Sequence, residues 1–317
     1  MIHRDSKTFS WLVLAYFCIG ASLVIAPAVR GKVYQQEADT GFDAKVNRPA
    51  YTTSHPKVLI DEAHKNFHTA EKGYKPFANL ITNDGYQVSA NKEKFQPGML
   101  KRIDILVIAN ALGDALFRPD ADKSAFTEAE CDSVRDWVSD GGSLLLVADH
   151  APIGEPSETL SLRFEVEMSK LRTIDHTHAK LNEIGNPGWI VYSRENGLLG
   201  DHPITQGRNA TERINSVTAF TGQSLKGPQG STAFLRLADT AIDIDTKTKK
   251  EISAAGRAQG IALRSGKGRV VILGEAAMIS AQTDGGGKVK FGMNRAGNDN
   301  KQLALNIMHW LSGLLDR

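Results

Sequence analysis

The chain has 317 residues, of which 41% are hydrophobic and 23% charged, and its formal net charge is +2 at pH 7. This composition is typical of a folded globular protein. The 38 basic and 36 acidic residues form no dense basic stripe, which argues against a nucleic-acid partner. With two cysteines, Cys18 and Cys131, the chain cannot build a disulfide framework or a cysteine-based zinc site.

The N-terminal residues predict export. A basic start precedes the apolar run Trp11–Ile25, and the A-x-A pattern Ala26–Ala28 follows it, so we interpret residues 1–28 as a signal peptide cleaved after Ala28. The alternative is an anchor in the inner membrane through residues 11–29, although the run is shorter than the roughly 20 residues that span a bilayer. Under both interpretations the rest of the protein lies outside the cytoplasm, in the periplasm or the extracellular space.

Residues 29–56 are polar and lack a sustained period, so we expect an extension or loosely packed tether. A single α/β domain is predicted over residues 57–317, because strand-like and helix-like patterns alternate from there, which favours a parallel sheet with right-handed crossovers. The first predicted elements are a strand at Val58–Asp61, a helix at Tyr74–Asp84, and strands at Tyr86–Ser89 and Ile103–Ala109.

The clearest helix signal begins at Thr127. Glu130 stands three residues later, which makes a capping box, and Cys131, Val134 and Val138 form an apolar stripe. Two glycines end this helix. A buried strand is then expected, since the run that follows is short and unbroken.

That strand, Leu144–Ala148, leads into Asp149 and His150. From about residue 152 to 250 the pattern is rich in turn residues, which predicts an insertion that decorates the sheet. The α/β pattern then resumes with strands at Ala258–Leu263 and Val270–Gly274 and a final helix at Lys301–Leu315.

Four segments carry a resemblance to known proteins: Val58–His64, Gly141–His150, His202–Gly207 and Gly268–Glu275. Together they resemble a family of exported bacterial proteins of unknown function. That family is similar to the class I glutamine amidotransferase-like superfamily, including its gliding-motility and intraflagellar-transport relatives. The resemblance implies a flavodoxin-like three-layer sandwich with a mostly parallel sheet over about residues 56–315.

The resemblance also implies a nucleophile that this chain lacks. Glutamine amidotransferases of this fold carry a cysteine on a sharp turn after a central strand, with a His-Glu pair downstream. Here the corresponding turn holds Asp149 and His150, and neither cysteine lies near it in the sequence. Because attack on an amide needs a thiolate within reach of a base, we expect no glutaminase activity.

Polar side chains follow several predicted strands, where ligands bind in open α/β sheets. They are Asp61, Glu62, His64 and His68 after the first strand, Asp149 and His150 after the fourth, and Glu275 after the last. The carboxyl ends of parallel strands meet at one edge of a sheet, so we expect these side chains to converge on one cleft.

Two kinds of chemistry fit this set. Asp149, His150, His64 and Glu275 are candidate acid–base catalysts. A divalent metal, zinc or manganese, is a candidate cofactor, because imidazole and carboxylate groups such as His64, His68, Asp61 and Asp149 are its usual ligands. The alternative is that these groups only cap loops and form hydrogen bonds within the scaffold.

Three further residues are candidate ligand contacts. Glu62 lies beside the first strand end, while Asn294 and Asn300 precede or begin the final helix, where exposed N–H groups suit a polar ligand. Asn300 or its neighbour Asp299 is a natural N-cap of that helix, and this interpretation is favoured over ligand binding.

The sequence leaves three functions open. The first is a periplasmic binding or accessory module for a small polar or envelope-derived ligand. The second is a metal-assisted or acid–base hydrolase that uses His64, His68, Asp149 and His150. The third, a membrane-tethered scaffold, would follow if the N-terminal segment is retained.

Overall fold

The computed structural model describes residues 36–114, 124–179, 187–284 and 286–316. Its helices are α1 (Lys75–Asn83), α2 (Glu128–Ser139), α3 (Glu158–Ser161), α4 (Pro203–Gln206) and α5 (Asn300–Leu311). Its strands are β1 (Gln36–Ala38), β2 (Lys57–Asp61), β3 (Gln87–Asn91), β4 (Ile105–Ala109), β5 (Ser143–Val147), β6 (Glu167–Met168), β7 (Arg172–Ile174), β8 (Val191–Ser193), β9 (Ser216–Thr218), β10 (Leu225–Lys226), β11 (Thr232–Arg236), β12 (Ile242–Ile244), β13 (Glu251–Ser253), β14 (Ala258–Ser265), β15 (Gly268–Leu273), β16 (Ala281–Asp284) and β17 (Lys290–Gly292).

The predicted signal peptide or membrane anchor, residues 1–28, lies outside the described residues, as do residues 29–35 of the predicted extension. Among the residues that are described, no helix has the length and apolar character needed to cross a bilayer.

The central sheet is mixed, so the molecule is an α/β protein. Strands β3, β2, β4, β5 and β15 lie side by side in that order, and each neighbouring pair is parallel. The sheet continues through β14, β10 and β6, while β11 also pairs with β14, and these pairings are antiparallel. The mostly parallel sheet expected from the sequence is therefore found in one half only.

The change of direction occurs at the hairpin between β14 and β15. Ser265 pairs with Gly268, so only Gly266 and Lys267 connect the two strands. A two-residue connection joins antiparallel strands, whereas parallel neighbours need a crossover of a dozen or more residues.

Both faces of the parallel half are covered by helices. Along β4, Ile105 and Val107 belong to the cluster of buried side chains that includes α1 and α5, whereas Leu106 and Ile108 belong to the cluster that includes α2. This alternation follows from the two-residue period of a strand. Each buried strand thus contributes to two cores, which explains its unbroken apolar sequence.

Helix α2 begins as its sequence predicts. The Thr127 hydroxyl accepts a hydrogen bond from the Glu130 backbone at 3.2 Å, and the Glu130 carboxylate accepts one from the Thr127 backbone at 2.9 Å. The stripe of Cys131, Val134 and Val138 is fully buried against the sheet. The capping box and the inward face of this helix are confirmed.

Residues 36–56 differ from the loose extension expected from the sequence. Strand β1 pairs with β16, and Phe42, Val46 and Tyr51 pack against the core. The Tyr51 hydroxyl donates a hydrogen bond of 2.7 Å to Ser312, next to α5. The compact unit accordingly includes residues 36–56 instead of beginning at residue 57.

The predicted insertion at about residues 152–250 is partly built into the sheet. It supplies β6, β10 and β11 to the antiparallel half. Its other strands form small antiparallel sheets, one of β13, β12 and β7 and one of β8 and β9.

Candidate functional site

The turn after β5 carries two partly exposed polar side chains, Asp149 and His150. Their side chains retain 16% and 29% of their accessible surface. The Asp149 backbone N–H donates to the side-chain oxygen of Asn110 at 2.9 Å, and the Gln223 amide donates to the carbonyls of Ala148 and Asp149, each at 2.9 Å. The end of this strand is therefore fixed by neighbours from β4 and from the insertion.

Asn110 occupies the equivalent position after the adjacent strand, β4. Its backbone is left-handed, with φ at 48°, a conformation that asparagine tolerates better than most residues. Its backbone N–H donates to the carbonyl of Val147 at 2.9 Å. The turn of β4 thus supports the turn of β5 from one side.

The hydrogen bonds of His150 define which of its nitrogens is available. Its Nδ1 lies 2.8 Å from the backbone carbonyl of Ala151. Because a carbonyl can only accept, Nδ1 donates, and Nε2 is the nitrogen left for a ligand. This Nε2 lies 3.8 Å from Oδ1 of Asp149, so the acid and the imidazole form one surface site.

Glu275 follows β15, the strand next to β5, but it is 1% exposed. Its two carboxylate oxygens accept hydrogen bonds of 2.7 Å from the backbone N–H groups of Ala277 and Met278. Glu275 therefore caps the short turn at residues 277–279 and lies beneath the surface site.

The two carboxyl groups perturb each other. Burial raises the pKa of Asp149 to about 6, although the nearby His150 and backbone hydrogen bonds oppose this rise. Burial and the negative charge of Asp149 raise the pKa of Glu275 well above its ordinary value. A carboxyl that titrates near neutral pH at a partly exposed strand end is a candidate functional group.

Tyr74 and His68 form an aromatic layer near the carboxyl pair. The rings of His68 and Tyr74 stack with centroids 4.8 Å apart, and the Tyr74 hydroxyl donates to the carbonyl of Ala276 at 3.0 Å. Burial lowers the pKa of His68 to about 4, so its ring is neutral at physiological pH. A Cβ at Gly73 would lie 2.2 Å from Nδ1 of His68, so this packing requires glycine.

His64 is separate from this site. Its Nδ1 lies 2.8 Å from Asp61 and its Nε2 lies 2.9 Å from Glu130, while Phe95 and Phe126 pack on its ring. Burial lowers its pKa, but the two carboxylates outweigh burial and the pKa is raised. Because carboxylates occupy both ring nitrogens and the ring is buried, the structure does not bring His64 together with Asp149 and His150, as the sequence predicted it would.

The predicted metal site is not formed. In the described parts of the chain, no three His, Cys, Asp or Glu side chains are arranged to hold a metal ion. Both nitrogens of His64 are used by carboxylates, and His68 stacks on Tyr74. The carboxylate of Asp61, the last residue of β2, accepts from Asn91, whereas Asp149 lies beside His150. The segment with His64 and His68 is also not helical, so their spacing does not align the two rings.

The three predicted ligand contacts serve the scaffold. Glu62 accepts from the backbone of Ala70 at 3.0 Å, and the Asn294 amide donates to Asp39 at 2.8 Å. The side-chain oxygen of Asn300 accepts a hydrogen bond from the backbone N–H of Thr218, and its amide group donates one to the Thr218 carbonyl. These residues are not part of the surface site.

The N-cap of α5 is Asp299, without a side-chain capping bond. Its carboxylate instead accepts from the backbone N–H groups of Asn215 and Ser216, at 2.7 and 3.0 Å. The final helix therefore begins where the sequence predicts, but the acidic side chain before it joins the helix to β9.

The described thiol is remote from this site. Cys131 lies within α2 and is fully buried, and burial raises its pKa to about 12. It is therefore a thiol in the core and not a thiolate nucleophile.

Three residues of the site were missed from the sequence: Tyr74, Asn110 and Gln223. Asn110 directly follows the predicted strand Ile103–Ala109, so the rule that identified Asp149 applies equally to it. Tyr74 was assigned to the start of a helix, and Gln223 lies in the insertion, where no pattern signals its contact with β5.

The fold defines the class of protein as α/β with polar strand ends. No protein-family model matches the chain, and a comparison with curated proteins found no match. Among solved structures it is similar to the N-terminal domain of mmIFT52, with a TM-score of 0.57 at 13% identity over 81% of this chain and 97% of that one. This likeness establishes a shared fold.

Two further similar structures have glutamine amidotransferase-like folds. A ThuA-like protein from Parabacteroides merdae has a TM-score of 0.44 at 12% identity, over 82% of this chain and 90% of that chain. A GMP synthase-like protein from Thermoplasma acidophilum has a TM-score of 0.42 at 11% identity, over 84% of this chain and 96% of that chain.

Proposed function

We propose that the chain is an exported, glutamine amidotransferase-like protein without glutaminase activity, and that it is a binding or accessory module for a small polar or envelope-derived ligand. Its parallel strands follow the order β3, β2, β4, β5, β15, which is the 2-1-3-4-5 order of flavodoxin-like sheets. Helices on both faces of this half support a flavodoxin-like three-layer sandwich, extended by antiparallel strands.

The ligand site is the surface pair Asp149 and His150. The single observation that carries this proposal is that both side chains stay partly exposed at the end of a central strand, while the polar groups around them, Asn110, Gln223 and Glu275, are buried. Asp149 offers an acceptor and His150 a free Nε2, so the pair suits a ligand with hydroxyl or ammonium donors.

Two envelope components serve as probes: N-acetylglucosamine, a neutral polyol, and D-alanyl-D-alanine, which carries an ammonium group. Calorimetric titration should give saturable binding of at least one of them. Asp149→Asn should weaken that binding by about tenfold, since the charged acceptor is lost. Asp140→Asn, an exposed position after α2, is the matched control and should leave binding unchanged.

Failure of both probes to bind the unaltered protein, or an equal loss in both variants, would contradict the proposed site. Glutamine is tested separately by measuring ammonia release. We expect none above the uncatalysed background, because Cys131 is buried with a raised pKa. Release that depends on Cys131 would overturn the absence of glutaminase activity.

An acid–base hydrolase is the second candidate, favoured by the pKa of Asp149 at about 6, since general acid–base catalysis works best near the operating pH. In this function Asp149 and His150 are the catalytic pair, without His64 and His68, which are buried. A panel of chromogenic esters and glycosides should then give a rate with an inflection near pH 6 that disappears in Asp149→Asn.

Export is proposed from residues 1–28. Mass determination of the mature protein tests it, because cleavage after Ala28 leaves Val29 as the first residue. An intact N-terminus in membrane fractions would instead support the tethered alternative.

A further inference from the structure

A cavity of about 820 Å³ lies between residues 45–49, the loop at residues 208–212 and helix α5. None of its lining residues belongs to the Asp149 site. Its size falls within the range of about 300–1,000 Å³ of small-molecule pockets.

The two carboxylates in its wall already have partners. Asp84 lies 2.7 Å from Nε2 of His309 and accepts from the backbone of Ala50 at 2.8 Å. The carboxylate of Glu212 is held by the guanidinium of Arg208, with contacts of 2.9 and 3.0 Å from Nε. Neither acid is left to neutralise the other basic groups of the cavity.

Three basic side chains of the wall make no ion pair among the described residues: Lys45, Arg48 and Lys301, of which Lys301 is attracted by the nearby Asp43. Lys45 and Arg48 are exposed. The ammonium group of Lys301 donates to the backbone carbonyls of Asp43 and Lys45, at 2.7 and 2.9 Å. Because an ammonium has three donors, one remains for a ligand.

We propose that this cavity binds the phosphate group of a small phosphate ester. Three basic groups that make no ion pair within the part of the chain that the structure describes are matched better by a group of charge near −2 than by a single carboxylate, and arginine presents a planar fork that fits phosphate oxygens. A single phosphate ion is much smaller than the cavity, so the organic part of the ester would occupy the rest.

The ester has two sources, a soluble metabolite or a lipid headgroup. Calorimetric titration of the full chain with inorganic phosphate and with glucose 6-phosphate tests the first. Co-sedimentation with vesicles containing phosphatidic acid, whose headgroup is a phosphate monoester, against phosphatidylcholine vesicles, tests the second. Binding in either arm supports the site and identifies its source, whereas binding in neither arm overturns it.

The double variant Lys45→Gln/Arg48→Gln should weaken binding by about tenfold or more, because two charge-assisted contacts to the phosphate are lost. Both side chains are exposed, so the fold should be retained. The control Lys92→Gln/Lys94→Gln removes the same charge from another exposed segment and should bind normally. An equal loss in the control would mean attraction to net charge alone and would overturn the proposal.

Lys301→Gln gives an independent check. It removes both the donor on α5 and its bonds to the carbonyls of Asp43 and Lys45, and it should weaken the same probe while leaving Asp149-dependent binding unchanged. If phosphate binding were lost in Asp149→Asn instead, the phosphate would belong to the other site, and this inference would be wrong even if the proposed function holds.

Discussion

Asp149 combines partial exposure with a pKa near neutrality, and this combination affects stability. A carboxyl whose pKa is raised on folding holds its proton more tightly in the folded state, so its contribution to stability is present below its ordinary pKa and is lost as pH rises. For Asp149 this loss falls between about pH 3.8 and 6. A group that destabilises the fold at neutral pH is retained more readily where it binds a ligand.

Asp149→Asn should therefore raise the free energy of unfolding above pH 6 by about 1–3 kcal/mol, since one pKa unit corresponds to about 1.4 kcal/mol. The difference from the unaltered protein should shrink as pH falls towards 4. Urea denaturation at several pH values measures it. A variant that is less stable across the whole range would contradict the raised pKa.

His64 makes the opposite kind of contribution. It holds Asp61 and Glu130 together in the interior, where burial raises the pKa of Glu130 but its hydrogen bonds with Thr127 and His64 lower it overall. Stability from Glu130 is lost as pH falls below about 4.5, and stability from the imidazolium is lost as pH rises through its raised pKa, above 6.5. The network should stabilise most between these limits.

His64→Gln should lower the free energy of unfolding by about 3–5 kcal/mol, because it leaves buried carboxylates without their charge partner. The loss should be greatest at pH 5–6. His176→Gln, at an exposed position, is the control and should change stability by less than about 0.5 kcal/mol. Equal effects of the two substitutions would exclude the network as a source of stability.

The first turn of helix α2 is part of the His64 network. Glu130 is at once the third residue of the capping box and the partner of His64. Thr127→Ala should destabilise by about 1 kcal/mol for the lost cap, and the pH dependence assigned to His64 should persist. Circular dichroism during thermal unfolding measures the first effect; an unchanged midpoint would mean that the cap contributes nothing.

The elements differ in how far they could be predicted. Buried strands and amphipathic helices were located because period and capping are local signals, as at Thr127 and along β4. The antiparallel half was not expected, although the two-residue turn at Gly266 and Lys267 specifies a hairpin. The strands of the insertion have two to five residues, too few for a period to be recognised.

The residues of the candidate site also differ in how far they could be predicted from the sequence. Asp149, His150 and Asn110 lie at strand ends, and position in the chain is enough to find them. The burial of His64 by Phe95 and Phe126 depends on residues distant in sequence, and so does the burial of Glu275, which lies against Gly222. Sequence alone gives the chemical type of such side chains but not their exposure, and exposure decides between scaffold and site.

For the molecule as a whole, the main difference from the expectation is that residues 36–56 are packed against the core and do not form a loose tether. They cover the core near α1 and α5 and supply Lys45 and Arg48 to the proposed phosphate site. A segment of polar sequence can pack in this way because a few anchors suffice. Tyr51 is the clearest anchor, edge-on to Tyr86 at 5.1 Å.

Tyr51→Ala should lower the free energy of unfolding by about 2–3 kcal/mol, through lost aromatic packing and the bond to Ser312. A loose tether would tolerate this change. Tyr51→Phe separates the two causes, since it keeps the ring and should cost about 1 kcal/mol. Urea denaturation compares the three proteins, and no loss in Tyr51→Ala would favour the tether.

Because Cys131 is buried, the reaction of its thiol would report how often the folded domain opens. With its sulfur sealed in the core and its pKa raised to about 12, the thiol can react with an alkylating reagent only while α2 is detached from the sheet. The extent of Cys131 alkylation over time, measured by peptide mass, therefore gives the rate at which the domain opens under native conditions. The measurement needs no engineered label, and a ligand that stabilises the closed molecule would slow the alkylation of Cys131.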